Sequence, residues 1–327
     1  MATSKFELKC ISDNPMISIV VPSLNQGKFI EETIQSVLNQ KYPKIELVVI
    51  DGGSQDQTID ILKKYDRDPR VQWISEADNG LNYAYNKGMA RARGEIIGLQ
   101  PSSDTYEQGA FVGAVTEFCQ DSNLGMVGGF IGIIDEDSNV TADPSGPYLC
   151  KNYIGLDDIA KLHLQTGLQS TFFKRDLALR IGGTDEDLQT NHTYFFLHYM
   201  LELTRLGGYA LSLPVHWGNF RSHRSSYSTD WDKQGLNNAL ELRLACERYS
   251  RKYQDLLNQE QVRLLLRLGY WAELSIRLIR RNQFILAVGP LLKWIKNGGL
   301  RTVDNRELAI KALRYLRLAY WSKFSRN

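Results

Sequence analysis

The feature that most constrains the fold is an alternation of short apolar runs with helical patterns in the first hundred residues. Four β-branched or apolar runs are typical of buried strands: Ile17–Pro22, Ile45–Ile50, Val71–Ser75 and Glu95–Gln100. The segments between them space their apolar residues as an amphipathic helix does. Strands that alternate with helices at this spacing predict a parallel sheet with right-handed crossovers. We therefore expect an α/β fold.

Polar loops follow each of the four predicted strands. They are Pro22–Asn25, Asp51–Ser54, Glu76–Gly80 and Pro101–Asp104. The carboxyl ends of parallel strands meet at one edge of a sheet, and ligands of such sheets bind beyond that edge. We expect these four loops to form the binding site.

The last hundred residues differ from the rest in pattern and in charge. From about residue 234 the pattern is helical only, so we expect two domains, 1–232 and 233–327, the second an all-helical extension. Residues 243–327 hold 18 Lys and Arg against 6 Asp and Glu, whereas residues 1–242 hold 21 against 31. The tail is either a bundle with a solvated basic face or a set of amphipathic helices, with Trp294, that bind an anionic membrane. No nucleic-acid recognition motif is present, so we expect no such partner.

Cysteine usage and hydropathy indicate the compartment. Cys10, Cys119, Cys150 and Cys246 lack the pair spacing of a metal or redox motif, which is typical of buried thiols in a reducing compartment. The N-terminal residues lack the apolar segment of a signal peptide, and no run reaches the ~18 apolar residues of a membrane span. We expect a cytoplasmic protein, which would be peripheral on the inner face of the membrane if the tail is the membrane-binding alternative.

The strands and loops between Ile17 and Asp104 resemble the nucleotide-binding half of family 2 glycosyltransferases, which are inverting enzymes with the A-type fold. The matching stretches of this half are Ser18–Asn25, Val48–Thr58, Trp73–Gly80, Asn86–Gly88 and Gly94–Gly98. The acceptor half of the family is resembled by Gly167–Arg175 and Gly182–Leu188. The closing loop of the family is resembled by Phe220–Ser228. The resemblance implies a Rossmann-like, mostly parallel sheet. It also implies metal-dependent transfer of a sugar from a nucleotide-sugar donor to a cell-surface polysaccharide or glycolipid.

The resemblance assigns a set of residues to the nucleotide: Pro22, Ser23, Asn25, Asp51, Gly53, Asp78, Lys87 and Ser103. Asp51 would accept the imide proton of the base, and Gly53 would let the backbone approach the nucleotide. The alternative is structural. The loop at Asp51 would then be a strand-to-helix turn with Ser54 as N-cap, Asp78 would lie in an ordinary turn, and Lys87 would be a solvated charge.

The resemblance places the metal site at the end of the fourth strand. Asp104 takes the metal-contacting place, while Ser103 stands where relatives carry a second acid. Mn²⁺ or Mg²⁺ would neutralise the leaving diphosphate. His223, beside Arg221 and Arg224, would contact the metal or the diphosphate. The alternatives are that Asp104 caps a turn and that His223 lies in a basic surface loop.

The catalytic base is the main departure from the family pattern. No carboxylate lies between Leu188 and Met200, and the usual acidic positions read Thr193 to Phe195. An inverting transfer needs a base to take the acceptor proton, and His192 is our candidate. His198 is the other titratable group in this stretch, and Asp185, Glu186 and Asp187 lie just before it.

Tyr83 also replaces an acid that is common in relatives. The missing acids therefore support a competing hypothesis: a catalytically impaired, transferase-like protein that binds a sugar, a nucleotide or a partner.

Overall fold

The computed structural model describes residues 8–142, 155–156, 167–188, 193–223 and 231–267. These residues fall into two compact units. One contains the described residues up to 155 and those between 167 and 223, and the other contains residues 156 and 231–267. The predicted domain boundary after residue 232 stays a prediction.

The first unit contains all of the described strands and six α-helices. The strands are β1 (Ile17–Ser23), β2 (Ile45–Asp51), β3 (Val71–Ser75), β4 (Ile96–Leu99), β5 (Thr105–Tyr106), β6 (Leu124–Ile134), β7 (Val140–Ala142), β8 (Thr171–Lys174) and β9 (Tyr209–Arg221). The helices of this unit are α1 (Ile30–Leu38), α2 (Thr58–Lys63), α3 (Leu81–Arg91), α4 (Ala110–Gln120), α5 (Arg175–Arg180) and α6 (Thr193–Arg205). In the second unit, α7 spans Trp231–Lys252.

The strands of the described residues form one sheet in the order β3-β2-β1-β4-β8-β6-β9-β5, with β7 paired to β6. The first four strands in this order are parallel, β8 is antiparallel to both of its neighbours, and β6 and β9 are parallel. In this register Ser23 lies opposite Asp51, and Asp51 lies opposite Ser75. Three polar residues therefore stand side by side at the carboxyl edge.

Helices cover both faces of the parallel half of the sheet. Ile17, Ile19 and Val21 are buried on one face, in a single core cluster with residues of α1 and α4. On the other face α3 packs directly against β1. Gly88 permits this close approach, since a Cβ at that position would overlap the side chain of Val20. This close packing brings the first turn of α3 to the carboxyl edge, since α3 begins directly after the loop that follows β3.

The predicted α/β fold, with its four alternating strands and helices, is confirmed. The sequence analysis predicted no element between residue 207 and the tail, where the structure has β9. In the tail, α7 and a helical segment at 259–267 agree with the expected helices, and the later ones lie outside the described residues. None of the described helices is long and apolar enough to cross a membrane.

Candidate functional site

Asp51 organises the loop that follows β2. Its carboxylate is 0% exposed and accepts hydrogen bonds from Gly53 N at 3.1 Å and from Ser54 N at 2.8 Å. The hydroxyls of Ser54 and Ser75 also donate to it, at 2.5 and 2.7 Å. Ser54 therefore does not cap α2, whose N-cap is Gln57, so that part of the structural alternative is wrong, while the loop itself is a turn between β2 and α2. Most of the acceptor capacity of the Asp51 carboxylate is used within the chain.

The loops after β1 and β2 are joined through Asn25. Its backbone N–H donates to Ser54 Oγ at 2.7 Å, and its Oδ1 accepts from Gln55 N at 2.8 Å. Asn25 has a φ of 52°, in the left-handed region that asparagine tolerates better than most residues. Gly52 N also donates to Ser23 O at 2.8 Å. The two loops thus form one hydrogen-bonded unit.

Asp56 reinforces this unit from the far side of the loop. Its carboxylate accepts from Gly27 N at 2.9 Å, and from both the N–H and the hydroxyl of Thr58 at 2.9 and 2.5 Å. Burial alone raises the pKa of Asp56, but these hydrogen bonds outweigh it, so the pKa is lowered. Asp56 is therefore held as a carboxylate that shapes the entrance to α1.

The loop after β3 reaches the same edge. A Cβ at Gly52 would lie 3.2 Å from Asp78 Oδ2, which shows how closely the Asp78 carboxylate packs on that backbone. Gly53 has a φ of +86°, which favours glycine, and it faces the backbone of Ala77. Asp78 also accepts from Gly80 N at 2.9 Å. Asp51, Gly53 and Asp78 are therefore brought together, as the sequence predicts.

Lys87 contacts two neighbouring side chains. Its ammonium pairs with Glu76 and lies 5.9 Å from the centre of the Tyr83 ring. Its side chain is 17% exposed. The alternative of a freely solvated charge is therefore wrong, and a diphosphate contact would share the Lys87 ammonium with Glu76.

Asp104 lies at the end of the fourth loop and is 1% exposed. One carboxylate oxygen accepts from Gln169 Nε2 at 3.0 Å, and the other accepts from Arg221 N at 2.9 Å and from Ser103 Oγ at 3.3 Å. Burial raises the pKa of Asp104 to about 7, although the donors from Arg221 and Ser103 oppose the shift. Asp104 thus joins the loop after β4 to the acceptor half and to β9.

His223 follows β9 and packs beside α1. Its ring centre lies 4.6 Å from that of Phe29, and the residue is buried. Burial is the main cause of its lowered pKa, and Glu136 opposes the shift. Arg221 and Lys28 lower it further. The alternative of an exposed basic loop is therefore wrong for Arg221 and His223, while Arg224 lies outside the described residues.

The expected metal ligands do not form a ready cation site. Mn²⁺ and Mg²⁺ prefer several oxygen ligands, and of the three residues expected at the metal, Asp104, Ser103 and His223, Asp104 alone is a carboxylate. Both carboxylate oxygens of Asp104 face protein donors. Across the described ranges, no three His, Cys, Asp or Glu residues are placed to hold a metal ion. As arranged, these residues do not fit the cation, and its participation stays a prediction.

Aromatic packing occupies the region where relatives carry the catalytic acid. Phe195 and Phe196 lie 5.1 and 5.4 Å from Phe173, between ring centres, and Phe195 lies 5.7 Å from Tyr199. All four side chains are buried. His192 falls outside the described residues. His198 is buried on α6.

Two asparagines of α3 have contacts that the sequence analysis did not predict. Asn86 exchanges hydrogen bonds with the backbone of Thr184 and donates to Glu186 Oε1 at 2.8 Å. Asn82 donates to the carbonyl of Leu188. The turn 184–188 therefore runs along α3 towards its first turn. The i, i+4 spacing of the two asparagines was the available signal, since it places both on one face of a helix.

Comparisons with known proteins agree with this geometry. Residues 18–177 match the family described as Glycosyl transferase family 2. The uncharacterised glycosyltransferase EpsJ of Bacillus subtilis is 37% identical over 115 residues, which cover 35% of this chain and 33% of EpsJ. The chondroitin synthase of Escherichia coli is 33% identical over 140 residues, which cover 42% of this chain and 20% of the synthase. The chain thus spans a third or less of the length of these two relatives.

Solved structures share the fold. TarS 1-349 of S. aureus, in complex with UDP-GlcNAc, superimposes with a TM-score of 0.59 at 17% identity, covering 87% of this chain and 80% of that one. The mannosyltransferase PcManGT of Pyrobaculum calidifontis, in complex with GDP-Man and Mn²⁺, superimposes with a TM-score of 0.60 at 19% identity. The superposition covers 98% of this chain and 87% of PcManGT. The family match and these folds agree with the strand-edge motifs. Residues 18–177 are therefore similar to family 2 glycosyltransferases, and the chain shares the A-type fold of these solved glycosyltransferases.

Proposed function

We propose that this chain transfers a sugar from a nucleotide-sugar donor to a glycan or glycolipid acceptor of a cell-surface polysaccharide pathway, with inversion. The observation that carries the proposal is the convergence of the loops after β1, β2 and β3. Hydrogen bonds of Asp51, Asn25 and Ser54 join these loops. Support comes from TarS and PcManGT, solved with UDP-GlcNAc and GDP-Man, and from a relative that is a chondroitin synthase.

We propose that Ser23 contacts the nucleotide-sugar. Its hydroxyl is buried and has no hydrogen-bond partner in the described part of the chain. A buried hydroxyl without a partner costs free energy, so a ligand that supplies one gains affinity. Ser23 lies beside Asp51 in the sheet register. We assign the base and ribose to this edge, where Pro22, Asn25, Gly53 and Asp78 are the further expected contacts.

The acceptor proton requires a base, and we propose His192. Leu188, four residues earlier, is held against the first turn of α3 by Asn82. That turn lies at the same edge as Asp78, so Leu188 lies near the donor loops. Asp185, Glu186 and Asp187 remain the alternative carboxylates.

We derive no step through Mn²⁺ or Mg²⁺, although both remain expected cofactors. Asp104 would have to exchange a hydrogen bond from Gln169 or Arg221 for the cation. Nucleotide binding measured with Mn²⁺, with Mg²⁺ and with EDTA tests this expectation directly.

The decisive experiment combines donor binding with turnover. Purified full-length protein is titrated with UDP, GDP, UDP-GlcNAc and GDP-Man by calorimetry, and then assayed for nucleotide release with a panel of glycan acceptors. We expect saturable binding and acceptor-dependent release. Absence of any binding at millimolar concentration would overturn the proposal.

The second candidate function is a catalytically impaired binding subunit. The aromatic packing of Phe195 in the base region, together with Tyr83 in place of an acid, favours it. Donor binding without transfer to any acceptor is the result that this hypothesis predicts.

We further propose that the basic tail binds anionic lipid, which would place the protein at the inner face of the membrane. The charge of residues 243–327 motivates the proposal. Most of this segment lies outside the described residues, so the test is a binding measurement.

A further inference from the structure

Arg221, the last residue of β9, is 0% exposed and joins separate segments of the first unit. Its Nε donates to Ser103 O at 2.8 Å, in the loop after β4. One terminal nitrogen donates to Asp135 O and Ser138 Oγ, both at 2.9 Å, in the turn between β6 and β7. The other pairs with Glu32 of α1 at 2.5 Å. Four partners in three segments thus hold one guanidinium.

Two expected donor-site residues are attached to Arg221. Its backbone N–H donates to Asp104 Oδ1 at 2.9 Å. Its guanidinium carbon lies 5.2 Å from the centre of the Phe29 ring, and the same ring packs against His223. Arg221 therefore contacts Asp104 directly and His223 through Phe29.

The contacts of Arg221 are suited to fixing geometry. Burying a guanidinium is costly unless its N–H groups are paired, and buried ion pairs add little net stability compared with apolar packing. Glu32, the carboxylate partner of the guanidinium among the described residues, has a side chain that is 46% exposed, so solvent screens the pair. The remaining partners are two carbonyl oxygens and a hydroxyl. Planar donors in a fixed fork hold such acceptors at defined positions.

We infer that Arg221 is a positioning residue of the donor site, whose guanidinium holds the backbone of Ser103, and with it the loop that ends at Asp104, at the edge where the donor binds. The inference rests on the proposed function. Ser103 and Asp104 form the end of the fourth edge loop. Without the guanidinium, Ser103 O loses its donor and this loop loses its side-chain link to the turn between β6 and β7, so the donor would meet a displaced loop.

A purely structural role would change stability alone, so a matched control is needed. Glu46 of β2 is 1% exposed and accepts from Ser18 Oγ at 2.5 Å, Gln72 Nε2 at 2.8 Å and Arg93 Nε at 2.6 Å. It lies one residue from the amino end of β2, at the opposite edge from the donor loops. Glu46→Gln disturbs a comparable buried charge of the same sheet.

The test compares Arg221→Lys with Glu46→Gln in the full chain. UDP and GDP affinities are measured by calorimetry, and unfolding by urea. We expect both variants to be less stable. We expect Arg221→Lys to weaken binding by roughly tenfold or more, and Glu46→Gln to stay within about twofold of wild type. A folded Arg221→Lys variant with wild-type affinity overturns the inference alone. A wild-type chain that binds neither nucleotide overturns the proposed function and, with it, this inference.

Glu32→Gln decides the matter if Arg221→Lys does not fold. This change removes the charged partner of Arg221 at a half-exposed position outside the donor loops. We expect nucleotide affinity to fall by about twofold to fivefold, because the guanidinium loses one of its anchors. If Arg221→Lys does not fold and folded Glu32→Gln binds the nucleotide as tightly as wild type, Arg221 contributes to stability alone. That result overturns the inference.

Discussion

Asn86 and Thr184 bind each other in both directions: Asn86 Nδ2 donates to Thr184 O at 2.8 Å, and Thr184 N donates to Asn86 Oδ1 at 2.7 Å. The pair fixes the turn 184–188 on α3. Because that turn precedes the proposed base in the sequence, we expect its position to affect turnover. The two residues are 98 positions apart in the chain, so they join the donor half to the acceptor half.

We expect Asn86→Ala to lower turnover more than donor affinity. The variant loses both hydrogen bonds to Thr184, at a cost of about 1–3 kcal/mol in unfolding free energy. Steady-state kinetics and donor calorimetry measure the two effects separately. Asn39→Ala, at an exposed position after α1, is the matched control and should behave as wild type. Equal losses of turnover and donor affinity would contradict the proposed role of Asn86.

Asp51→Ala should weaken nucleotide binding by roughly 1–3 kcal/mol. The same change should also lower stability, because Gly53 N, Ser54 N and two hydroxyls lose their acceptor. Ser75→Ala separates the two effects, since it removes one donor to Asp51 and leaves the carboxylate in place. Affinity that is unchanged in Asp51→Ala, measured by calorimetry, counts against this site.

The parts of the site that the sequence predicted are those with local signals. The loops after β1, β2 and β3 follow clear strand patterns, so their convergence follows from parallel topology. β9 was missed because Pro214 interrupts its pattern and register shifts disturb its pairing with β6. The burial of Arg221 was missed for the same reason, since a basic residue in an unassigned segment is typical of a surface loop.

Stability should fall in acid through Glu46. Burial raises the pKa of its carboxyl, but the hydrogen bonds from Arg93 and Ser18 outweigh it, so the folded pKa lies below the ordinary value of 4.5. The stabilising effect is therefore present above pH 4.5 and is lost as the pH falls through the folded pKa. Urea unfolding of wild type and Glu46→Gln from pH 3 to pH 7 checks this. The difference in unfolding free energy between the two proteins should become smaller in acid. A difference that stays constant would contradict the stabilising role of the Glu46 carboxylate.

The basic tail should bind anionic vesicles. The excess of 18 Lys and Arg over 6 Asp and Glu in residues 243–327, together with Trp294, motivates this expectation. Sedimentation with vesicles that contain phosphatidylserine should show binding that weakens as salt rises, because salt screens exposed charges. Neutral vesicles are the control. Equal binding to both kinds, or to neither, is incompatible with an electrostatic tail.

The final prediction concerns the base. Direct displacement at the anomeric carbon needs a proton acceptor within hydrogen-bond reach of the incoming hydroxyl. Phe195, at one of the usual acidic positions, is buried among aromatic rings and has no group that takes a proton. If His192 is the base, His192→Ala should lower turnover by roughly 10²–10⁴, the range typical of general-base catalysis.

Two further readouts separate His192 from its competitors. Donor affinity should persist in His192→Ala, because the base acts on the acceptor. The wild-type rate should fall as the pH drops through about 6.5, where an unperturbed histidine gains its proton and can no longer accept another. An active wild type with an unaffected His192→Ala variant refutes the assignment and transfers the role to Asp185, Glu186 or Asp187. A wild type that binds donor and never turns over, whatever the acceptor, instead favours the impaired binding subunit.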